Sequence, residues 1–475
     1  MNHQQIADFI AQTWDESIIP ALMEYIPIPN KSPMFDPAWQ ANGYMDMAVK
    51  LISDWCQQQN VKGMHLEVVR LDGRTPLIFM EIPGQIDATV LLYGHLDKQP
   101  EMSGWDDDLG PWKAVIKGDK LYGRGGADDG YAAFASLTAI KALQEQDIPH
   151  ARCVVIIEAC EESGSYDLPF YIDLLKEKIR EPDLVICLDS GCGNYEQLWI
   201  TTSLRGLIGG TLQIDVLKEG VHSGMGSGIV PSCFMVLRQI LSRIEDESSG
   251  AIRLRDLQVE IPDDRQEQAE RAAETLQKEI QQALPFLNGV EPVLTNPVEL
   301  ILNRSWRSAL SITGIAGIPA LANAGNVTLP SLTVKLSMRI PPTCDVDTAG
   351  NALKTVLEIE PPFGAQVKFK LSDMGPGWNA PVESPWLTDA ANYASTKYFG
   401  KNSLYIGEGG SIPFMGMLGK KFPRAQFLIT GLLGPNSNAH GPNEFLHIPT
   451  GKKLTACVAQ VIAEHFEQAE KQIQR

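Results

Sequence analysis

The chain has 475 residues, enough for two to four structural units or for one large domain with an insertion. Lys and Arg number 40 against 58 Asp and Glu, a formal charge of −18, and 44% of residues are hydrophobic. The acidity excludes a nucleic-acid backbone binder, which needs a basic stripe, and the apolar content excludes a disordered chain.

The chain opens on MNHQQIADFIAQTWDESIIP, which lacks the basic start and apolar core of a secretion signal and reads as an amphipathic helix. No apolar run approaches the roughly 18–20 residues of a membrane span. Eight cysteines are scattered with no CxxC pair, several inside apolar runs, which favours buried thiols over a disulfide framework. The expectation is a cytoplasmic protein without a membrane partner.

Between about 77 and 200 short apolar runs alternate with helical patterns. LIFMEI (77–82), TVLLYGHLD (89–97), CVVIIEACEE (153–162) and DLVICLDS (183–190) read as strands; 130–146 and 166–180 read as helices. Near-continuous apolar strands separated by helices imply an α/β fold, a mostly parallel sheet with helices on both faces. From about 206 the texture changes. Alternating strands at 206–217, 331–340 and 365–373 flank a helix-like SCFMVLRQILSRIEDE. A charged helix at 263–284 carries the stripe Ala269, Ala272, Ala273, Leu276, Ile280 and Ala283. The parallel-sheet texture resumes with SLYIGEGGSIP and QFLITG (426–431), and a helix ends the chain. The division expected is a catalytic domain in two parts, 1–205 and 375–475, interrupted by an inserted α+β lid domain at 206–374.

In open parallel sheets ligands gather beyond the carboxyl ends of the strands, and polar clusters occupy those places here. His95 and Asp97, two apart, face the same way, an arrangement suited to a metal-bound imidazole backed by a carboxylate. Glu161-Glu162 ends an apolar strand, where paired carboxylates are costly unless compensated; one as ligand and one as base would explain them. Asp128 and Asp129 could equally cap a helix, Asp189 could close a turn, and His440 could be a surface residue. Taken together, histidines and carboxylates without cysteine suit a hydrolytic metal pair better than a structural zinc site.

GHLD, GRGGADD, EACEESGS, PDLVICLDS, HSG, GNVTLP, SMR, GEGGSIP and NAHGPNE, in this order along most of the chain, resemble one family. It comprises the two-zinc metallopeptidases of the carboxypeptidase G, aminoacylase, succinyl-diaminopimelate desuccinylase and carnosinase type. The resemblance implies that His95, Asp128 and Asp189 bind one metal, that Asp128, Glu162 and His440 bind the second, and that Asp97 backs His95. It implies Glu161 as general base and His222 as a residue serving a neighbouring subunit's site. It places Asn326, Arg339, Gly409, Gly410 and Ser411 on the substrate, with Arg339 on its carboxylate. The cofactor expected is a pair of divalent ions, zinc first, with manganese or cobalt as alternatives. The partners expected are a small dipeptide substrate, no nucleic acid, and a second copy of the chain, held through the lid. The strands 207–217 and 331–340 would supply the pairing edge.

Two departures stand out. Gly130 follows the second Asp where many members have Lys, and Lys98 follows Asp97 where a Val-containing stretch is usual. Asp189 stands where the family's deacylases usually have Glu and its dipeptidases Asp. The activity expected is therefore hydrolysis of a dipeptide or short peptide. The alternative is removal of an acyl group from an N-acyl amino acid. Residues Asn303, Arg304, Trp306 and Arg307 are candidates for shaping substrate preference.

Overall fold

The computed structural model describes residues 1–473, which divide into two compact units. The first comprises 1–202, 380–406 and 412–473, and the second 203–379 with 407–411.

The first unit is built on a six-stranded sheet. Its order is His65–Val69, Leu77–Ile82, Arg152–Glu158, Thr89–His95, Leu184–Cys187 and Gln426–Ile429. The first two junctions are antiparallel and the other three parallel. Every residue of Thr89–His95, Arg152–Glu158 and Leu184–Cys187 is buried, as strands covered on both faces require. Helix Tyr131–Gln144 packs against Thr89–His95 and against the closing helix Ile448–Ile473, which in turn packs on Pro385–Tyr398. Ala132, Ala133, Ala135 and Ala139 keep the first of these helices narrow enough to be enclosed. All eight cysteines are buried free thiols. No described helix is long and apolar enough to cross a membrane.

Two expected elements are broken. The helix at 166–180 divides at Leu175 into Leu168–Leu174 and Lys176–Ile179. The charged helix stops at Leu276, because Gln277 takes a positive φ, and a short turn of helix, Glu279–Gln282, follows. Ala269, Ala272, Ala273 and Leu276 form the buried stripe, while Ile280 and Ala283 are only half-buried. The strand Leu404–Glu408 does not rejoin the parallel sheet. It belongs to a separate three-stranded sheet with Trp199–Leu204 and Trp378–Asn379.

The second unit carries a four-stranded antiparallel sheet in the order Ala309–Ala316, Ser331–Ile340, Gly206–Asp215, Gln366–Gly375. Leu332, Val334, Leu336, Met338 and Ile340 alternate inward, where helices Cys233–Leu241 and Val346–Glu358 cover them. The two strands expected to form a pairing edge are therefore the central pair, hydrogen-bonded on both sides. The free edges are Ala309–Ala316 and Gln366–Gly375.

Candidate active site

Two of the parallel strands of the first unit, Thr89–His95 and Arg152–Glu158, end on polar residues, and Asp189 follows Leu184–Cys187 by two. His95 closes its strand opposite Glu158 in register. Gly94 permits this approach: a Cβ there would lie 2.4 Å from that of Ala132 and 2.7 Å from Asp129 Oδ2. The helix-capping reading of the aspartates does not hold. The cap of Tyr131–Gln144 is Gly130, with no side-chain cap bond. Asp129 Oδ2 instead accepts the backbone N–H of His95 at 3.2 Å. The Asp128–Asp129 peptide bond is cis.

Asp128 stands between two imidazoles. Its Oδ1 is 3.3 Å from His95 Nε2 and its Oδ2 is 3.0 Å from His440 Nε2. His95 Nε2 is also 3.6 Å from Asp189 Oδ1, and His440 Nε2 is 3.4 Å from Glu162 Oε2. Donor atoms of His95, Glu161 and Asp189 lie within 4.8 Å of one another, as do those of His95, Asp128 and Glu162. Asp97 faces His95 Nδ1 at 3.4 Å, and its two oxygens accept the backbone N–H groups of Glu161 and Glu162 at 3.1 and 3.0 Å. Asp97 thus meets the first imidazole with its backbone carbonyl, 3.1 Å from Nδ1, as well as its carboxylate, and the carboxylate fixes the adjacent pair of glutamates.

The electrostatics are unbalanced. Desolvation pushes Glu161 and Glu162 well above the usual carboxylate range, with Asp189 adding to the first and Asp128 and Glu161 to the second. Desolvation likewise raises Asp129 and Asp189. Desolvation also works against charge on His95, but Asp189 and Asp128 outweigh it and raise the imidazole. Asp128, by contrast, is held below its ordinary value, because its contacts with His440 and His95 outweigh desolvation. Crowded buried carboxylates need compensating cations. Glu162 Oε1 is buried with no hydrogen-bond partner among the described residues, and the donors are oxygen and imidazole nitrogen without sulfur. The set fits divalent ions of the zinc, manganese or cobalt type.

Residues 91–464 match the profile of peptidase family M20/M25/M40. The chain belongs to that family. It is a hydrolytic metallopeptidase. A cysteinylglycine-S-conjugate dipeptidase of Corynebacterium striatum is 26% identical over 394 residues, covering 80% of this chain and 82% of that protein. A Beta-Ala-His dipeptidase of Mus musculus is 28% identical over 356 residues, covering 71% and 69%. The structure of the dipeptidase Dug1p of Saccharomyces cerevisiae superposes with a TM-score of 0.78 at 22% identity, covering 98% of this chain and 99% of that one.

The remaining candidates of this M20 peptidase lie in the second unit. His222 pairs with Val327, and Ser223 N–H donates to Asn326 O at 2.8 Å, so the His222 and Asn326 segments form one ribbon. Exposed His222 caps the short helix Ser223–Gly226, its Nδ1 accepting from Gly224 N–H at 3.0 Å. The neutral ring then carries its proton on Nε2, a donor. Arg339 is half-buried near the end of Ser331–Ile340, and desolvation lowers its pKa with no carboxylate offsetting it. Gly409 is enclosed: its O accepts from Arg205 Nε at 3.2 Å, and Arg304 Cγ would be 3.2 Å from a Cβ there. Gly410 is open, and Ser411 is half-buried. Asn303, Trp306 and Arg307, but not Arg304, line a cavity of about 630 Å³ within this unit.

One neighbour of the cluster, Gln99, carries no signal in the sequence. Gln99 donates to Glu162 Oε2 at 2.5 Å. Lys98 is wholly buried, its Nζ donating to the carbonyls of Tyr25, Ile26 and Ile28 at 2.9, 3.2 and 2.8 Å and lying 3.8 Å above the Tyr25 ring. It closes the end of helix Ile19–Tyr25. Gly130 has no room for a side chain, since a Cβ would lie 2.3 Å from Tyr25 Cε1. The lysine missing at 130 and the lysine unexpected at 98 therefore concern the same tyrosine.

Proposed function

We propose that this M20 peptidase hydrolyses dipeptides with a pair of divalent ions, zinc first. His95, Asp128 and Asp189 hold one ion, and Asp128, Glu162 and His440 hold the other. The observation carrying this reading is the position of Asp128, one oxygen toward each histidine, inside a cluster whose carboxylates lack sufficient compensating charge. Asp189, the residue usual in the family's dipeptidases, and the two dipeptidase relatives support the substrate class.

When bound, such ions polarise a carbonyl and lower the pKa of water. Glu161, held by the bond from its own N–H to Asp97, takes the proton of the attacking water and returns it to the leaving amine, a role worth about 10²–10⁴-fold. His222 donates from Nε2 to the developing oxyanion of a substrate in a neighbouring subunit. Arg339, whose planar fork matches a carboxylate, holds the substrate's carboxyl end. The loop Gly409–Ser411 receives the other end, with Asn326 assisting from the lid. The lid mediates a two-fold dimer through the exposed edge Ala309–Ala316, where Ile312 and Ile315 are each 48% exposed.

The test is a panel of Ala-Gly-type and Cys-Gly-type dipeptides and their N-acetyl counterparts, with Zn²⁺, Mn²⁺ and Co²⁺ supplied separately. Free dipeptides should be cleaved faster. Faster cleavage of the acetylated forms would make the enzyme an N-acyl-amino-acid deacylase. Bound metal without hydrolysis anywhere in the panel would make the chain a binding protein.

A further inference from the structure

The loop that carries His440 has little structure of its own. Residues 430–444 form only turns and one isolated bridge, and Asn436, Asn438, His440 and Asn443 all have positive φ, from 53° to 65°. Asn and His are among the non-glycine residues that enter this region most readily. Packing does not hold His440, whose side chain is 56% exposed.

The loop is tied by bonds of its own, Asn438 Nδ2 to Pro442 O and Gly441 N–H to Asn438 O, and by Asp106 N–H on Asn443 Oδ1, but the backbone of His440 itself is gripped by one guanidinium. Arg124 Nη2 donates to His440 O at 3.1 Å and to Gly441 O at 2.8 Å, while Nη1 pairs with Glu444 Oε2. Glu444 Oε1 accepts from Gly125 N–H at 2.7 Å, and its carbonyl accepts from Gly123 N–H at 3.0 Å. The side chains of Arg124 and Glu444 are 1% and 0% exposed. A buried pair of this kind is weak evidence for stability, because desolvation offsets most of the attraction. Its value here is geometric. The fork grips two consecutive carbonyls, one of them that of His440, and ties them to the segment leading into Asp128.

We infer that Arg124 is a positioning residue for His440, and that its grip on the His440 and Gly441 carbonyls sets the affinity of the ion site that His440 completes. The inference rests on the two-ion reading above. Lysine cannot replace it: one ammonium can meet Glu444 but cannot span the carboxylate and both carbonyls.

The test measures Mn²⁺ and Zn²⁺ binding to the full chain by titration calorimetry and ion counting, with circular dichroism establishing that each variant is folded. The variants are R124M, R124K, H440A and the double variant R124M/H440A. Two ions are expected in the wild type. R124M and R124K should weaken one ion by about 10–100-fold, the range for groups that orient a ligand, and leave the other within about twofold. In the H440A background, R124M should change nothing further. R124K keeps the test open should R124M not fold. Equal weakening of both ions, an undiminished effect of R124M on top of H440A, or wild-type affinity in R124K would overturn the inference and leave the two-ion reading standing. A wild-type chain that binds one ion would overturn the two-ion reading itself, and the inference with it.

Discussion

Asp97 is the residue on which the geometry of the cluster turns. It faces His95 Nδ1 and uses both oxygens on the backbone of the adjacent glutamates. Replacing it with alanine should lower metal affinity about 10–100-fold and lower kcat as well, because Glu161 loses its anchor. Ion titration and kcat at saturating metal check the two effects separately; unchanged kcat at full loading would remove Asp97 from the positioning of Glu161. At this scale the sequence is legible where a residue ends an apolar strand. His95, Glu161, Glu162 and Asp189 stand beyond buried runs, and a polar group there has few reasons to be present. In the sequence Asp128 is ambiguous, since an aspartate before a helix is ordinary; the Gly130 cap without a side-chain bond and the two imidazole contacts of Asp128 together remove the capping reading. Arg124 and Glu444 lie 320 residues apart, and no local pattern joins them.

Helix Ile448–Ile473 illustrates what an element contributes away from the site. His465 is 2% exposed, both ring nitrogens lack partners among the described residues, and its ring lies 5.8 Å from that of Trp386. Burial pushes its pKa down to about 4 from 6.5. Between those values the unfolded chain binds the proton and the folded chain does not. The stability contributed by the neutral ring is therefore fully present above about pH 6.5 and lost as pH falls toward 4, about 3 kcal/mol in all. In urea unfolding at pH 7 and pH 5, H465L should lose about 2 kcal/mol less than the wild type over that step. An equal loss in both would assign the acid sensitivity elsewhere. The parallel strands were legible as elements from their apolar runs. Sheet membership was less so: Leu404–Glu408 has the texture of a core strand yet joins a different sheet, because texture reports burial and not the neighbour. The same limit applies to Gly206–Asp215 and Ser331–Ile340, whose alternation shows one buried face and is silent about which strands flank them.

For the molecule as a whole, the proposed reading is an M20 peptidase whose active unit is a dimer. Mixing the inactive homodimers H222A and E161A should restore part of the activity, since a mixed dimer has one site with both residues intact. No recovery after proven subunit exchange would confine each site to its own chain. Part of the acidic balance has a location, because the carboxylates around His95 and His440 are those that two divalent ions would compensate. The decisive measurement is dipeptide turnover by E161Q with its bound ions counted in the same preparation. Two ions per chain with turnover reduced by about 10²–10⁴-fold or more is the predicted result. Full turnover at two ions, or loss of the ions themselves, would contradict the assignment of Glu161 as the base beside a two-ion centre.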